Sequence, residues 1–167
     1  MIHRLITHPL CQLPVIDLNA AGGKIPLRAA LSFKGSGMRR TGLLYDERFL
    51  LHKTGPGHPE CPERLVVIHQ ALKDAQLLSK LIPIPATPAK IKWIEKVHTP
   101  RHVFRVEEAS LLDLGELDHP DNQLCPETFD TAVLAIGGIL NAIDLLMQRK
   151  IDNAFCAVRP PGHHAEP

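Results

Sequence analysis

His163 and His164 stand side by side near the end of a 167-residue chain. Imidazole titrates close to neutrality, so an adjacent pair can divide the work of proton acceptor and proton donor. Pro160 and Pro161 stiffen the approach to the pair, and Gly162 admits backbone angles that other residues resist. The competing structural reading is a surface loop or the start of a tag, and the apolar run at 154–158 argues against the tag. The four cysteines, Cys11, Cys61, Cys125 and Cys156, are far apart and form no CxxC pair. They read as free thiols, not as a zinc knot or a disulfide framework.

The elements that must position the pair follow from apolar periodicity. Residues 42–45 are a short apolar run ending at Asp46, which suits a buried strand. Residues 51–61 carry two glycines and two prolines and read as a loop. Pro62 can open a helix where its missing N–H costs nothing, and Leu65, Ile68, Leu72 and Ala75 give that helix one apolar face. Residues 81–85 suit a strand that Pro83 confines to a sheet edge. Helical signals return at 89–97 and 100–111, and 115–124 reads as a polar loop. The strongest helix is expected over 126–149, with Phe129, Ala132, Val133, Ile136, Leu140, Ile143 and Met147 on one face and Leu134, Leu145 and Leu146 covering other sides. A short buried strand is expected at 154–158. Strands separated by helices predict an α/β fold with a mainly parallel sheet, whose ligands bind beyond the carboxyl ends of the strands. The histidine pair follows a strand in that way.

The composition, 44% hydrophobic and 22% charged, is globular and excludes a disordered chain. A net charge of +1 gives no nucleic-acid footprint. The longest uncharged stretch, 131–143, is 13 residues, short of the roughly 18 expected of a membrane span. Charge is uneven, however. Residues 1–40 hold six basic residues (Arg4, Lys24, Arg28, Lys34, Arg39, Arg40) and one acid, Asp17, without sustained periodicity. They read as an unplaced basic extension: a targeting segment, a flexible tail, or sequence upstream of a true start at Met38. The last of these is preferred, because folded-looking sequence begins just after Met38.

Five segments, in order, resemble the zinc-dependent histone deacetylase family, in the branch of class II, bacterial deacetylase-like and acetylpolyamine amidohydrolase enzymes. They are TGLLYD at 41–46 with His52, GPGHPECPERL at 55–65, HTPRHV at 98–103, DNQLCPET at 121–128, and RPPGHHAEP at 159–167. The resemblance covers residues 41–167 and implies the amino-terminal half of an arginase/deacetylase-like three-layer α/β domain. In that family a divalent metal polarises an acetyl-amide carbonyl and activates water, while two histidines manage protons. The resemblance makes His163 a general base or electrostatic support and His164 the donor to the leaving amine. It places Arg64 near the foot of the pocket, where a cation can steer acetate; the alternative is a solvated helix residue. It places Asp121 on a rim loop as an acceptor for substrate backbone, with Asp118 competing and a plain turn role open to both. His58 and His98 read as structural, and His69 and His102 receive no role.

The family's metal ligands and its transition-state tyrosine are expected downstream of the pair, so no metal ligand is assigned here. The resemblance implies zinc in the full-length family, none held by this chain alone, and acetylated lysine or acetylated amine as substrate. The leading expectation is therefore a deacetylase that is inactive as this chain, and the rival is a non-catalytic binding or regulatory fragment. A ureohydrolase is disfavoured, because nothing here resembles a two-metal arginase motif. Nucleic-acid and membrane partners are not expected. Open apolar faces favour marginal folding and self-association. A cytoplasmic location is expected unless residues 1–40 target an organelle.

Overall fold

The computed structural model describes residues 39–162, which fall in one compact unit, Met38–Pro167. The readings made of residues before 39, and those of His163 and His164, lie outside the described residues. The centre of the unit is a parallel three-stranded sheet in the order β2-β1-β5. Strand β1 is Thr41–Leu44, β2 is Ile82–Pro83 and β5 is Asn153–Cys156. Pro83 has no N–H to give, and β2 occupies an edge as that requires. Gly42 pairs with Ile82 on one side and Ala154 on the other. A Cβ on Gly42 would lie 2.7 Å from Ile84 Cδ1 and 2.9 Å from Ile151 Cδ1, so glycine lets those two side chains meet over the middle strand.

Between the strands run α1 (Glu63–Asp74), a single turn α2 (Ile91–Ile94), α3 (Pro100–Leu111), the hairpin strands β3 (Glu116–Leu117) and β4 (His119–Gln123), and α4 (Thr128–Met147). Pro100 opens α3, and the Thr99 hydroxyl accepts from His102 N at 3.2 Å, a regular amino-terminal cap. The ring of His69 on α1 stacks on Tyr45, with centroids 4.3 Å apart.

Helix α4 has two working sides. Leu134, Ala135 and Ala142 join Leu44, Phe49, Leu65, Ile84 and Ile151 in the core over the sheet. Val133, with Phe129, Ile136 and Leu140, packs on Ala89, Ile94 and Val103. The face read from the sequence is corrected at its carboxyl-terminal end: Ile143 and Met147 lie 47% and 79% exposed, while the small residues Gly137, Gly138 and Ala142 are buried. The cause is close approach. A Cβ on Gly138 would lie 2.7 Å from the Leu44 methyls, and one on Gly137 would run into the backbone of residues 87–89. The helix is 20 residues long and an 18-residue stretch of it has mean hydropathy 1.6, so by length and composition it is apolar enough to cross a membrane even though Asp130 and Asp144 bound its uncharged stretch. Here its apolar sides pack on the sheet and on α3.

Three further expectations are corrected. The polar loop at 115–124 contains an antiparallel hairpin, turned at Asp118 (φ 63°) and closed by Leu124 N donating to Gly115 O at 2.8 Å. The helix expected over 89–97 is one turn, since Ala89 N is taken by Val133 O at 3.0 Å and Lys90 is extended. Strand β5 is only half-buried, with Phe155 45% exposed, because it is the other edge of the described sheet.

Candidate functional site

A groove of about 1310 Å³ opens beside the segment that follows β5 and the loop at 52–60. It is bordered by the loop at 52–60, the first turn of α1, α3, the β3–β4 hairpin, the first half of α4, and Pro160, Pro161 and Gly162. The segment that leads to His163 thus shares one groove with His58, Pro59 and Glu60.

The floor is a buried polar knot. Arg159, 2% exposed, lies three residues past β5. Its Nε donates to Glu60 Oε1 at 2.5 Å and its Nη2 to Glu60 Oε2 at 2.8 Å, a bidentate pair. Its Nη1 donates to the carbonyls of His52 at 2.7 Å and Phe49 at 3.3 Å. One guanidinium therefore ties the 49–52 turn and the 55–60 loop to the start of the Pro-Pro-Gly segment. Burial raises the Glu60 carboxyl, but the hydrogen bonds and charge of Arg159 outweigh it and hold Glu60 below the usual carboxylate range.

His52 completes the knot at 3% exposure. Burial, then the charge of Arg159, lowers its pKa to about 4 against the pull of Glu60, whose Oε2 is 3.6 Å away. The ring is neutral at pH 7, and its Nδ1 lies 2.9 Å from Thr128 Oγ1. Thr128 opens α4, and its hydroxyl accepts from Cys125 N at 2.8 Å. Cys125 in turn accepts from Lys53 N at 3.2 Å. The sequence reading missed Glu60, Arg159 and this role of His52. The signal available was that both Glu60 and Arg159 lie within segments that carry the family resemblance; the partners are 99 residues apart, so no local spacing pairs them.

The rim is more open. Arg64, expected near the foot of the pocket, instead projects at the rim from the first turn of α1, its side chain 55% exposed, with Nη1 3.6 Å from Glu60 Oε1. Asp121, 51% exposed on β4, lies across the groove mouth 3.6 Å from His58 Nε2. His58 Nδ1 lies 3.1 Å from both Glu60 N and Glu60 O, and its Nε2 has no hydrogen-bond partner among the described residues. That nitrogen is buried, and 3.6 Å is an ion-pair distance without a hydrogen bond. Asp118, the competing acid, is held by Arg105 Nη2 at 2.5 and 2.6 Å. Arg64 and Asp121 therefore border the same groove as Gly162. His98 and His102 stack on each other at its side, and burial, then the neighbouring His98 and Arg105, lowers His102.

Among the described residues no three His, Cys, Asp or Glu side chains converge to hold a metal ion. Around the floor, the possible donors His52, Glu60 and Cys125 are already hydrogen-bonded to Thr128, Arg159 and Lys53. These residues do not fit a zinc centre, which needs three free protein ligands and an open position.

Residues 58–167 match the family model described as the histone deacetylase domain. Histone deacetylase 5 of Arabidopsis thaliana is 32% identical over 143 residues, covering 79% of this chain and 21% of that protein. A probable deacetylase of Archaeoglobus fulgidus is 32% identical over 129 residues, covering 76% of this chain and 35% of its own length. Among solved structures the HDA15 HD domain superposes with a TM-score of 0.70 at 32% identity, over 76% of this chain and 37% of that one. The chain spans between 21% and 37% of the length of these three.

Proposed function

Because the chain belongs to the histone deacetylase domain family, we propose that it carries the proton-handling and rim portion of a site that hydrolyses acetyl-lysine-type amides. The observation that supports this is the shared groove: Pro160–Gly162 and the 55–60 loop border one cavity, and Arg159 anchors both. In this reading the Pro-Pro-Gly segment delivers His163 and His164 to the reacting amide. His163 takes the proton of the attacking water or supports it electrostatically, and His164 protonates the leaving amine. Arg64 attracts the acetate product, and Asp121 accepts hydrogen bonds from substrate N–H groups at the mouth. Zinc, when bound in the full-length enzyme, supplies Lewis-acid polarisation.

We expect the 167 residues by themselves to hold no stoichiometric zinc and to turn over no substrate, since among the described residues no three His, Cys, Asp or Glu side chains converge to hold a metal ion. The test is metal analysis and turnover of an acetyl-lysine peptide with the purified chain, alongside NMR of peptide binding. Expected are far less than one zinc per chain, no turnover, and shifts confined to Arg64, Asp121, Gly162 and their neighbours. Arg64→Gln and Asp121→Asn should each weaken binding roughly tenfold, the worth of one charged hydrogen bond. Turnover by the 167-residue chain overturns its inactivity, and shifts away from the groove overturn the substrate assignment.

A further inference from the structure

We propose that α2 and the residues flanking it form a docking surface for an anionic lipid bilayer. The near-neutral total charge conceals a block: between Asp74 and Glu107 the sole acid is Glu95, against Lys80, Lys90, Lys92, Lys96, Arg101 and Arg105. Arg105 is taken by Asp118, and the lysines at 90, 92 and 96 are exposed.

The single turn of α2 is fastened by one residue. Ile94 is 8% exposed and packs with Val103 and Val133. Lys92 points away from Ile94, and Ile91, 40% exposed, and Trp93, 48% exposed, flank it on either side of the turn. The Lys92 ammonium sits 5.6 Å from the centre of the Trp93 ring. Apolar and indole groups interleaved with lysines suit the boundary between headgroups and acyl chains, where Trp is enriched and lysine stems reach back to phosphate. The negative surface potential of an anionic leaflet attracts the lysines. An acidic peptide answers the lysines but leaves Ile91 and Trp93 in water, so the bilayer is the better match. Ile94, Arg101 and Arg105 also line the groove, but Lys90, Lys92, Trp93 and Lys96 do not, and the Arg159 knot does not enter this argument.

Trp93 is the sole tryptophan of the sequence, so its emission reports the contact directly. The full chain is titrated with phosphatidylcholine vesicles with and without phosphatidylserine, and binding is also followed by co-sedimentation. Expected is a blue shift with the serine-containing vesicles only, reversed by salt within the screening range of the lysines. Lys92→Gln and Lys96→Gln should each weaken partitioning roughly fivefold, with circular dichroism unchanged. Trp93→Ala, followed by sedimentation, should also weaken it. Unmoved Trp93 emission with anionic vesicles overturns the proposal. So does sedimentation that ignores both lysine substitutions, which assigns binding to another basic segment such as residues 1–40. A shift with poly-glutamate but not with vesicles also overturns it, in favour of an acidic protein.

Discussion

On the groove floor, Arg159 is 2% exposed and bonds three residues drawn from two separate loops. On the rim, the Arg105 side chain is 42% exposed and among the described residues bonds Asp118, itself 61% exposed. The same pair of residue types, arginine and carboxylate, serves different ends in the two places. Buried charge is costly to expose singly, so the floor pair holds three backbone segments in one register. Solvated charge is cheap to rearrange, so rim residues can trade one another for a ligand.

The largest expected effect lies on the floor. Arg159→Met leaves the Glu60 carboxylate buried without its partner and should cost about 3–5 kcal/mol in urea denaturation. The double variant Arg159→Met with Glu60→Leu removes both charges and should recover much of that loss. A single-variant cost below about 1 kcal/mol would erase the contrast with the rim.

The next effect is on pH. His52 is neutral when folded, with a pKa of about 4, and titrates near 6.5 when unfolded. The unfolded chain takes the proton first on acidification, so the His52 contribution is whole above pH 6.5 and is lost as pH falls towards 4. The loss should reach roughly 3 kcal/mol, and His52→Gln should flatten this limb of the stability profile. The lowered Glu60 carboxyl adds a second loss as pH falls below its ordinary 4.5 through its folded value.

The smallest effect belongs to the rim. Arg105→Gln or Asp118→Asn should change unfolding free energy by less than about 1 kcal/mol, and added salt should shrink even that. A loss as large as that of Arg159→Met would show that the hairpin is a structural support and not an adaptable edge.

Much of the secondary structure was legible. The helices at α1, α3 and α4, the strands at β1 and β5, and the edge place of Pro83 follow from apolar spacing and proline chemistry. Helix ends were less so. Gln76, Asp113 and Arg149 adopt φ of 55°, 51° and 54° just beyond α1, α3 and α4, where glycine would have marked a stop. With other residues there, the periodicity ran past the last turn of α4. The hairpin was also hidden, since the HPDNQ of β4 looks like loop and its ladder is made by backbone groups. The face of α4 was misjudged because apolar spacing gives no weight to the glycines through which the helix meets Leu44 and residues 87–89.

By itself the sequence determined the parallel α/β class, the deacetylase resemblance and the stiffened approach to a histidine pair, since each rests on local residue type, spacing or order. Tertiary structure alone decided which charges are buried. Glu60 and Arg159 are chemically unremarkable in their own loops, and they become a floor only because the chain folds residues 99 apart into one buried site. Burial is a property of neighbours, and neighbours distant in sequence leave no periodic trace in it.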